Sequence, residues 1–301
     1  MDGSAVTATG LRDKLRHYAG LVMLSHTVFA LPFAASAVVL TMAVPHMPLT
    51  IGRVALLLVC MVSARTSAMA FNRLVDRGID AKNPRTKTRH IPAGAVSAKE
   101  ALALVVLTGA VFVAAAAGLG RLPGLLALPV LLVLLGYSYA KRFTWAAHAW
   151  LGVALALAPG GAWLAMGAEP NRGIIALMVA VVTWLFGFDV LYSLQDEQFD
   201  REHGLRSVPV RFGTTGALIL SALAHVGTVA ALALVGVWLG RGPAYFLGVA
   251  GAAVILTWEH AIVGKGDLSR INKAFFDLNA YVSVGFFACT LADELLRRRG
   301  G

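Results

Sequence analysis

The chain has little charge for its length. Charged residues make up 14% of its 301 positions against 58% hydrophobic ones, a balance that excludes an ordinary soluble domain. Cysteine is scarce as well: Cys60 and Cys289 both fall inside apolar runs, which excludes a disulfide framework or a cysteine metal site and leaves two small packing residues. No zinc-type spacing of histidines is present. The N-terminal segment lacks the compact apolar region and small-residue cleavage site of a signal peptide, so the first apolar run is expected to remain as a membrane helix.

Long apolar sequence is what the chain has in quantity. Runs of roughly 20 residues, long enough for a hydrocarbon core of about 30 Å, occur about nine times. They cover residues 18–44, 54–71, 101–120, 122–139, 143–167, 173–194, 214–240, 243–263 and 274–292. The expectation is an all-α integral membrane bundle of about nine transmembrane helices, one domain over residues 1–301. Ser97 and Glu100 have the spacing of a capping box opening the third helix.

A net charge of +10 would suit nucleic acid if it formed one patch, but here the bases are distributed between the spans. Arg12, Lys14 and Arg16 precede the first span, and Arg73, Arg77, Lys82, Arg85, Lys87, Arg89 and Lys99 separate the second from the third. Lys141 and Arg142, then Arg201, Arg206 and Arg211, then Lys265, Arg270 and Lys273 fall on the same side; Arg53, Arg121, Arg172 and Arg241 fall on the other. Bases concentrate on the cytoplasmic side of a bilayer, so the N-terminus and the large polar loops are expected there, in the cytoplasmic (inner) membrane of a cell, with lipid and not nucleic acid as the surrounding partner. The tail Arg297–Arg299 would then lie outside as an exception.

Two polar segments at expected cytoplasmic ends resemble each other: FNRLVDRGIDAKNPRTKTRHIPAG and LYSLQDEQFDREHGLRSVPVRFG. Asn72, Asp76 and Asp80 recur at four-residue intervals, as do Tyr192, Asp196 and Asp200, and each set precedes an arginine three residues before a proline, Arg89 with Pro92 and Arg206 with Pro209. An internal duplication follows, about 18–140 and 143–263, with a ninth helix added. Four-residue spacing holds both carboxylates of a pair on one helical face. Like charges so placed repel unless a cation compensates, and hard oxygen ligands beside phosphate suit Mg2+. The neighbouring Arg73, Arg77, Lys82, Arg85, Arg201 and Arg206 are suited to diphosphate oxygens. A solvated helix end accounts for either segment alone; two matching copies point to a diphosphate site.

These residues resemble the UbiA superfamily of intramembrane prenyltransferases, whose motifs NxxxDxxxD and DxxxD are matched by Asn72, Asp76, Asp80 and by Asp196, Asp200. The segment YSYAKRFTWAAHAWLG resembles the family's link between its fourth and fifth helices, with Tyr137 and Lys141 at the positions that face the site. The resemblance implies a helical bundle around a central cavity open to lipid, with the aspartates and Asn72 holding Mg2+ and with Asp76, Asp80, Asp196, Asp200 and Lys141 serving catalysis. An isoprenyl diphosphate and an aromatic acid are the implied substrates. Arg77, Arg85, Tyr192, Arg201 and Arg206 are expected to bind the former.

Arg65 is a charge inside an apolar run, seven residues before Asn72 and so on nearly the same face. Two readings stand side by side: it binds a carboxylate on the acceptor, or it pairs with Asp189, which lies seven residues before Asp196. Within the family the leading acceptor is 4-hydroxybenzoate, and the runner-up is 1,4-dihydroxy-6-naphthoate of futalosine-route menaquinone synthesis; both carry a carboxylate. His26, His148, His225 and the pair Glu259–His260 read as hydrogen-bonded packing residues, while Asn279 and Asp277 are weak candidates for the cavity wall. A secondary transporter would share the repeat and the buried ions, but its polar residues would gather at the midplane instead of at one rim.

Overall fold

The computed structural model describes residues 20–21, 27–263 and 271–300. His26 lies outside the described residues, as do Arg12, Lys14, Arg16, Lys265 and Arg270, together with the first part of the expected first span. The described regular elements are all helical. In chain order they are α1 (Thr27–Leu40), α2 (Ile51–Asp80), α3 (Ala98–Leu119), α4 (Arg121–Gly136), the short α5 (Ala140–Phe143), α6 (Ala147–Ala165), α7 (Arg172–Ser193), the short α8 (Glu197–Glu202), α9 (Val208–Trp238), α10 (Pro243–Val263) and α11 (Ile271–Gly300). Setting aside the two short helices, nine remain, and seven of the spans they build are long and apolar enough to cross a bilayer. The described part of α1 is shorter, and α11 is more polar than the others.

Helix limits follow local chemistry. Ser97 and Glu100 form the expected capping box at the start of α3. The Asn171 side chain accepts the Gly173 and Ile174 amides to open α7. α9 is bent where Gly213 takes φ 69°, a left-handed value that favours glycine; the apolar span read from residue 214 therefore begins at this bend. With 30 residues and a rise of 1.5 Å each, α2 is about 45 Å long. It outreaches a core of about 30 Å. The excess carries Asn72, Asp76 and Asp80 to the membrane rim, which is why the apolar run ends at residue 71 although the helix does not.

The helices pack as two parts. α1, α6, α7, α9, α10 and α11 contact one another in a closed ring, while α2, α3 and α4 form a layer joined to it chiefly through α4 against α6. The ring holds the main core, with Trp163, Trp184, Tyr245, Phe33 and Phe286 fully buried. Their polar tips are satisfied: Trp163 Nε1 donates to the Glu169 carbonyl (2.9 Å), Tyr245 OH to the Leu232 carbonyl (2.7 Å) and Trp184 Nε1 to Asn279 Oδ1 (2.8 Å). Val106, Leu125, Leu132, Leu247 and Val254 project outward, as expected for surfaces that meet acyl chains.

Asn279 is thereby removed from the cavity wall. It is buried between Trp184 and Glu259, donating to Glu259 Oε1 at 2.7 Å, and the neighbouring His225 Nδ1 lies 3.0 Å from His260 Nε2. Together these groups tie α7, α9, α10 and α11 with a polar cluster inside the bilayer thickness. Asn279→Ala would orphan two buried groups at about 1–3 kcal/mol each, so the thermal unfolding midpoint in detergent should fall clearly.

Candidate active site

Two chambers lie between the α2–α4 layer and the ring. One, of about 380 Å³, is apolar and runs among α2, α3, α4, α6 and the start of α7. The other, of about 240 Å³, is polar and lies at the rim where α2 and α7 end. Tyr137, in the tight turn between α4 and α5, lines both. The neck between them is therefore set by the residue that begins the YSYAKR segment.

All four motif aspartates line the polar chamber, and each meets its own base. Arg142 Nη2 donates to Asp76 Oδ1 at 3.1 Å, and Asn72 Nδ2 to Asp76 Oδ2 at 2.9 Å. Arg89 Nη1 donates to Asp80 Oδ1 at 2.7 Å. Arg85 grips Asp196 with both arms of its fork, Nε at 3.0 Å from Oδ1 and Nη2 on Oδ2, while Nη1 reaches Tyr192 OH at 2.9 Å. Lys141 Nζ donates to Asp200 Oδ2 at 3.1 Å. Asp80, Asp196 and Asp200 are nearly buried, so an uncompensated carboxylate at any of them would be costly.

Local structure sets these pairings. Residues 81–97 fold back over the chamber through turns, with Asn83 Oδ1 accepting the Arg85 amide (2.9 Å) and Thr86 Oγ1 donating to the Asp80 carbonyl (3.1 Å). That fold-over carries Arg85 and Arg89 from the end of α2 toward both aspartate pairs. Burial works against the charge on Arg85, but its bonds to Asp196 and Tyr192 outweigh this and hold its guanidinium above the ordinary value. The second motif departs from the expected single helical face: α7 tightens into a 3₁₀ turn at Leu194–Asp196 before α8 begins, so Asp196 sits on the turn and Asp200 on the short helix.

Three bases expected at the diphosphate are placed elsewhere. Arg77 faces outward and donates to its own helix at the Leu74 carbonyl (2.6 Å); Arg201 pairs with Glu197 (2.9 Å); Arg206 donates to the Phe143 carbonyl (2.6 Å) and its amide to the Lys141 carbonyl (2.7 Å). None lines the chamber. Arg206 instead braces the turn that presents Lys141. Arg89, Arg142 and Asn83 take the places at the wall; the signal for Arg142 was its adjacency to Lys141, and for Arg89 the repeated spacing to a proline.

Arg65 is the one charged side chain among the described residues that line the apolar chamber, and it stands beside the neck with Tyr137. An ion pair with Asp189 is not among those the described residues make. Asp189 Oδ2 instead meets His148 Nδ1 at 2.6 Å, so His148 is hydrogen-bonded as expected, and both residues line the polar chamber.

The donor set fits Mg2+. Asp80 Oδ2 is buried without a hydrogen-bond partner among the described residues, an acceptor oriented for a cation, and the other donors are carboxylate oxygens. No three acidic, cysteine or histidine groups converge on a single point among the described residues, an arrangement in which each ion would be held by one or two carboxylates and completed by substrate oxygens.

Known proteins show the same architecture. The UbiA prenyltransferase family matches residues 28–283 of the chain. A 4-hydroxybenzoate octaprenyltransferase of Aromatoleum aromaticum is 30% identical over 232 residues, 76% of this chain and 78% of that protein. The apo structure of a UbiA homologue from Aeropyrum pernix K1 superposes with a TM-score of 0.80 at 33% identity, covering 89% of this chain and 98% of the other. A UbiA homologue from Archaeoglobus fulgidus bound to GPP and Mg2+ has the same fold, with a TM-score of 0.71 at 20% identity over 93% of this chain and 99% of that one. With apolar helices that span a bilayer, two aspartate pairs at one rim and this match over most of its length, the chain belongs to the UbiA family of integral membrane prenyltransferases.

Proposed function

We propose that the chain transfers a polyprenyl group from an allylic diphosphate to a carboxylated aromatic ring, with Mg2+, and that 4-hydroxybenzoate is the acceptor. The observation that carries this reading is the junction at Tyr137, which lines both a polar chamber of aspartates and bases and an apolar chamber whose charged wall residue is Arg65. A substrate with a diphosphate head and an isoprenoid tail matches that division. The names of the curated relatives favour 4-hydroxybenzoate over 1,4-dihydroxy-6-naphthoate.

When bound, Mg2+ held by Asp76, Asp80, Asp196 and Asp200 would neutralise charge on the diphosphate oxygens. Arg85, Arg89, Lys141 and Arg142 line the same chamber and would bind those oxygens directly, stabilising charge as the allylic C–O bond breaks. The apolar chamber keeps water from the allylic cation, which would otherwise end as an alcohol. An electron-rich ring carbon then forms the new C–C bond, with the acceptor carboxylate held at Arg65. The aspartates gather at one rim beside the basic loops, which supports an enzyme over a transporter with a midplane site. The same distribution of bases supports a cytoplasmic-membrane location with this rim facing the cytoplasm, and the paired motifs at the end of α2 and just beyond α7 support one domain built from a duplicated four-helix unit.

Arg65→Ala tests the acceptor assignment. Loss of a charge-assisted hydrogen bond worth about 1.5–3 kcal/mol should raise KM for 4-hydroxybenzoate about 10- to 100-fold with the diphosphate affinity unchanged. An unchanged KM would remove Arg65 from the acceptor site.

A further inference from the structure

The family reading leaves one step without a residue: after the C–C bond forms, the ring carbon still bears a proton that must leave for aromaticity to return. We propose that Asp189, held in place by His148, takes that proton. This rests on the prenyl-transfer reading above and assigns a residue to its last step.

His148 projects from the first turn of α6 and is almost wholly buried, 1% exposed. Its Nδ1 meets Asp189 Oδ2 at 2.6 Å, so Nδ1–H donates to the carboxylate; its Nε2 has no partner among the described residues, and the Phe186 ring stands edge-on beside it. One hydrogen bond and tight surroundings leave the imidazole a single task, fixing the carboxylate. Asp189 keeps 24% of its side chain exposed, and Oδ1 takes no hydrogen bond among the described residues. That free oxygen belongs to a residue of the polar chamber wall, and Asp189 and Arg65 both act electrostatically on Tyr137 at the neck. The proposed step places the acceptor along Tyr137, with its carboxylate on Arg65 and its ring toward Asp189.

Unlike the four motif aspartates, Asp189 meets no arginine or lysine among the described residues. A carboxylate oxygen left open to the chamber is placed to receive a proton from a ring lying there. The step balances simply. The ring C–H bond breaks, its electron pair returns to the ring, and the proton passes to Asp189; the electron pair of the allylic C–O bond has already left with diphosphate.

The test uses the purified full chain in nanodiscs with Mg2+, geranyl diphosphate and 4-hydroxybenzoate, the latter either unlabelled or deuterated at the ring positions beside the hydroxyl. Asp189→Asn should lower kcat by about 10²- to 10⁴-fold while geranyl diphosphate binds as before and is still cleaved to geraniol. His148→Leu should lower kcat about 10- to 100-fold at unchanged KM, with a primary deuterium isotope effect absent from the unaltered protein, and His148→Gln, which keeps a donor, should recover most of the loss. Unchanged kcat in Asp189→Asn overturns the assignment. So does a His148→Leu protein whose loss falls on KM and diphosphate binding together, with no isotope effect and no recovery in His148→Gln. If the unaltered protein binds the diphosphate but prenylates no ring, the functional reading fails, and the assignment of Asp189 with it.

Discussion

Asp196→Ala is expected to lower prenylated product by on the order of 10³-fold while leaving the protein folded. The reason lies in what Asp196 joins. It accepts both arms of Arg85 and a longer bond from Asn83 Nδ2 (3.4 Å), so it ties the 81–97 segment to the end of α7 and also supplies two hard oxygens to the chamber. Arg85 is already about a third exposed beside Asp196, so water can solvate the guanidinium once the carboxylate is gone, and the three other aspartate–base pairs remain. Folding should therefore survive where chemistry does not. Asp76→Ala should behave alike, since Asp76 joins Asn72 and Arg142 across the chamber. Diphosphate release measured beside the thermal unfolding midpoint separates the two effects; near-normal release in either variant would remove the aspartates from the site.

Gly152→Val is the second large effect, and it falls on folding. A Cβ at Gly152 would stand 2.7 Å from the Val182 carbonyl oxygen and 3.1 Å from its Cα, and backbone cannot yield as a flexible side chain does. α6 and α7 would have to separate. Overpacking of this kind costs about 1–3 kcal/mol, and the same separation would pull His148 on α6 from Asp189 on α7. Gly161 on the same helix is the internal control, because a Cβ there meets nothing within 4 Å. The yield of monodisperse protein should drop for Gly152→Val and hold for Gly161→Ala. Equal yields would show that the two helices do not depend on this close approach.

The sequence made the membrane bundle and the aspartate pairs legible because both are local patterns. The run 243–263 coincides with α10, and four-residue spacing along the continuous α2 places Asn72, Asp76 and Asp80 as expected. What a single chain does not display is which distant group meets which. Arg142 reaches Asp76 across 66 positions, Arg85 reaches Asp196 across 111, and His148 reaches Asp189 across 41. Arg77, Arg201 and Arg206 carry the right charge next to the motifs, yet the helix turns the first two from the chamber and Arg206, in the loop before α9, is drawn to the Phe143 carbonyl. Proximity along a helix fixes a face, and the face opposite a motif is a surface. Asn279 was misplaced for the complementary reason: a polar residue near a span's end suits a cavity wall and a buried brace equally until Trp184 and Glu259 are seen beside it.

Product formation by the purified chain is the most direct measurement. With Mg2+, an allylic polyprenyl diphosphate and 4-hydroxybenzoate or 1,4-dihydroxy-6-naphthoate, mass spectrometry should show one prenyl group on the 4-hydroxybenzoate ring, and chelation of the metal should abolish it. Folded protein that binds the diphosphate yet prenylates neither acid, or that prenylates equally well after chelation, would contradict the account.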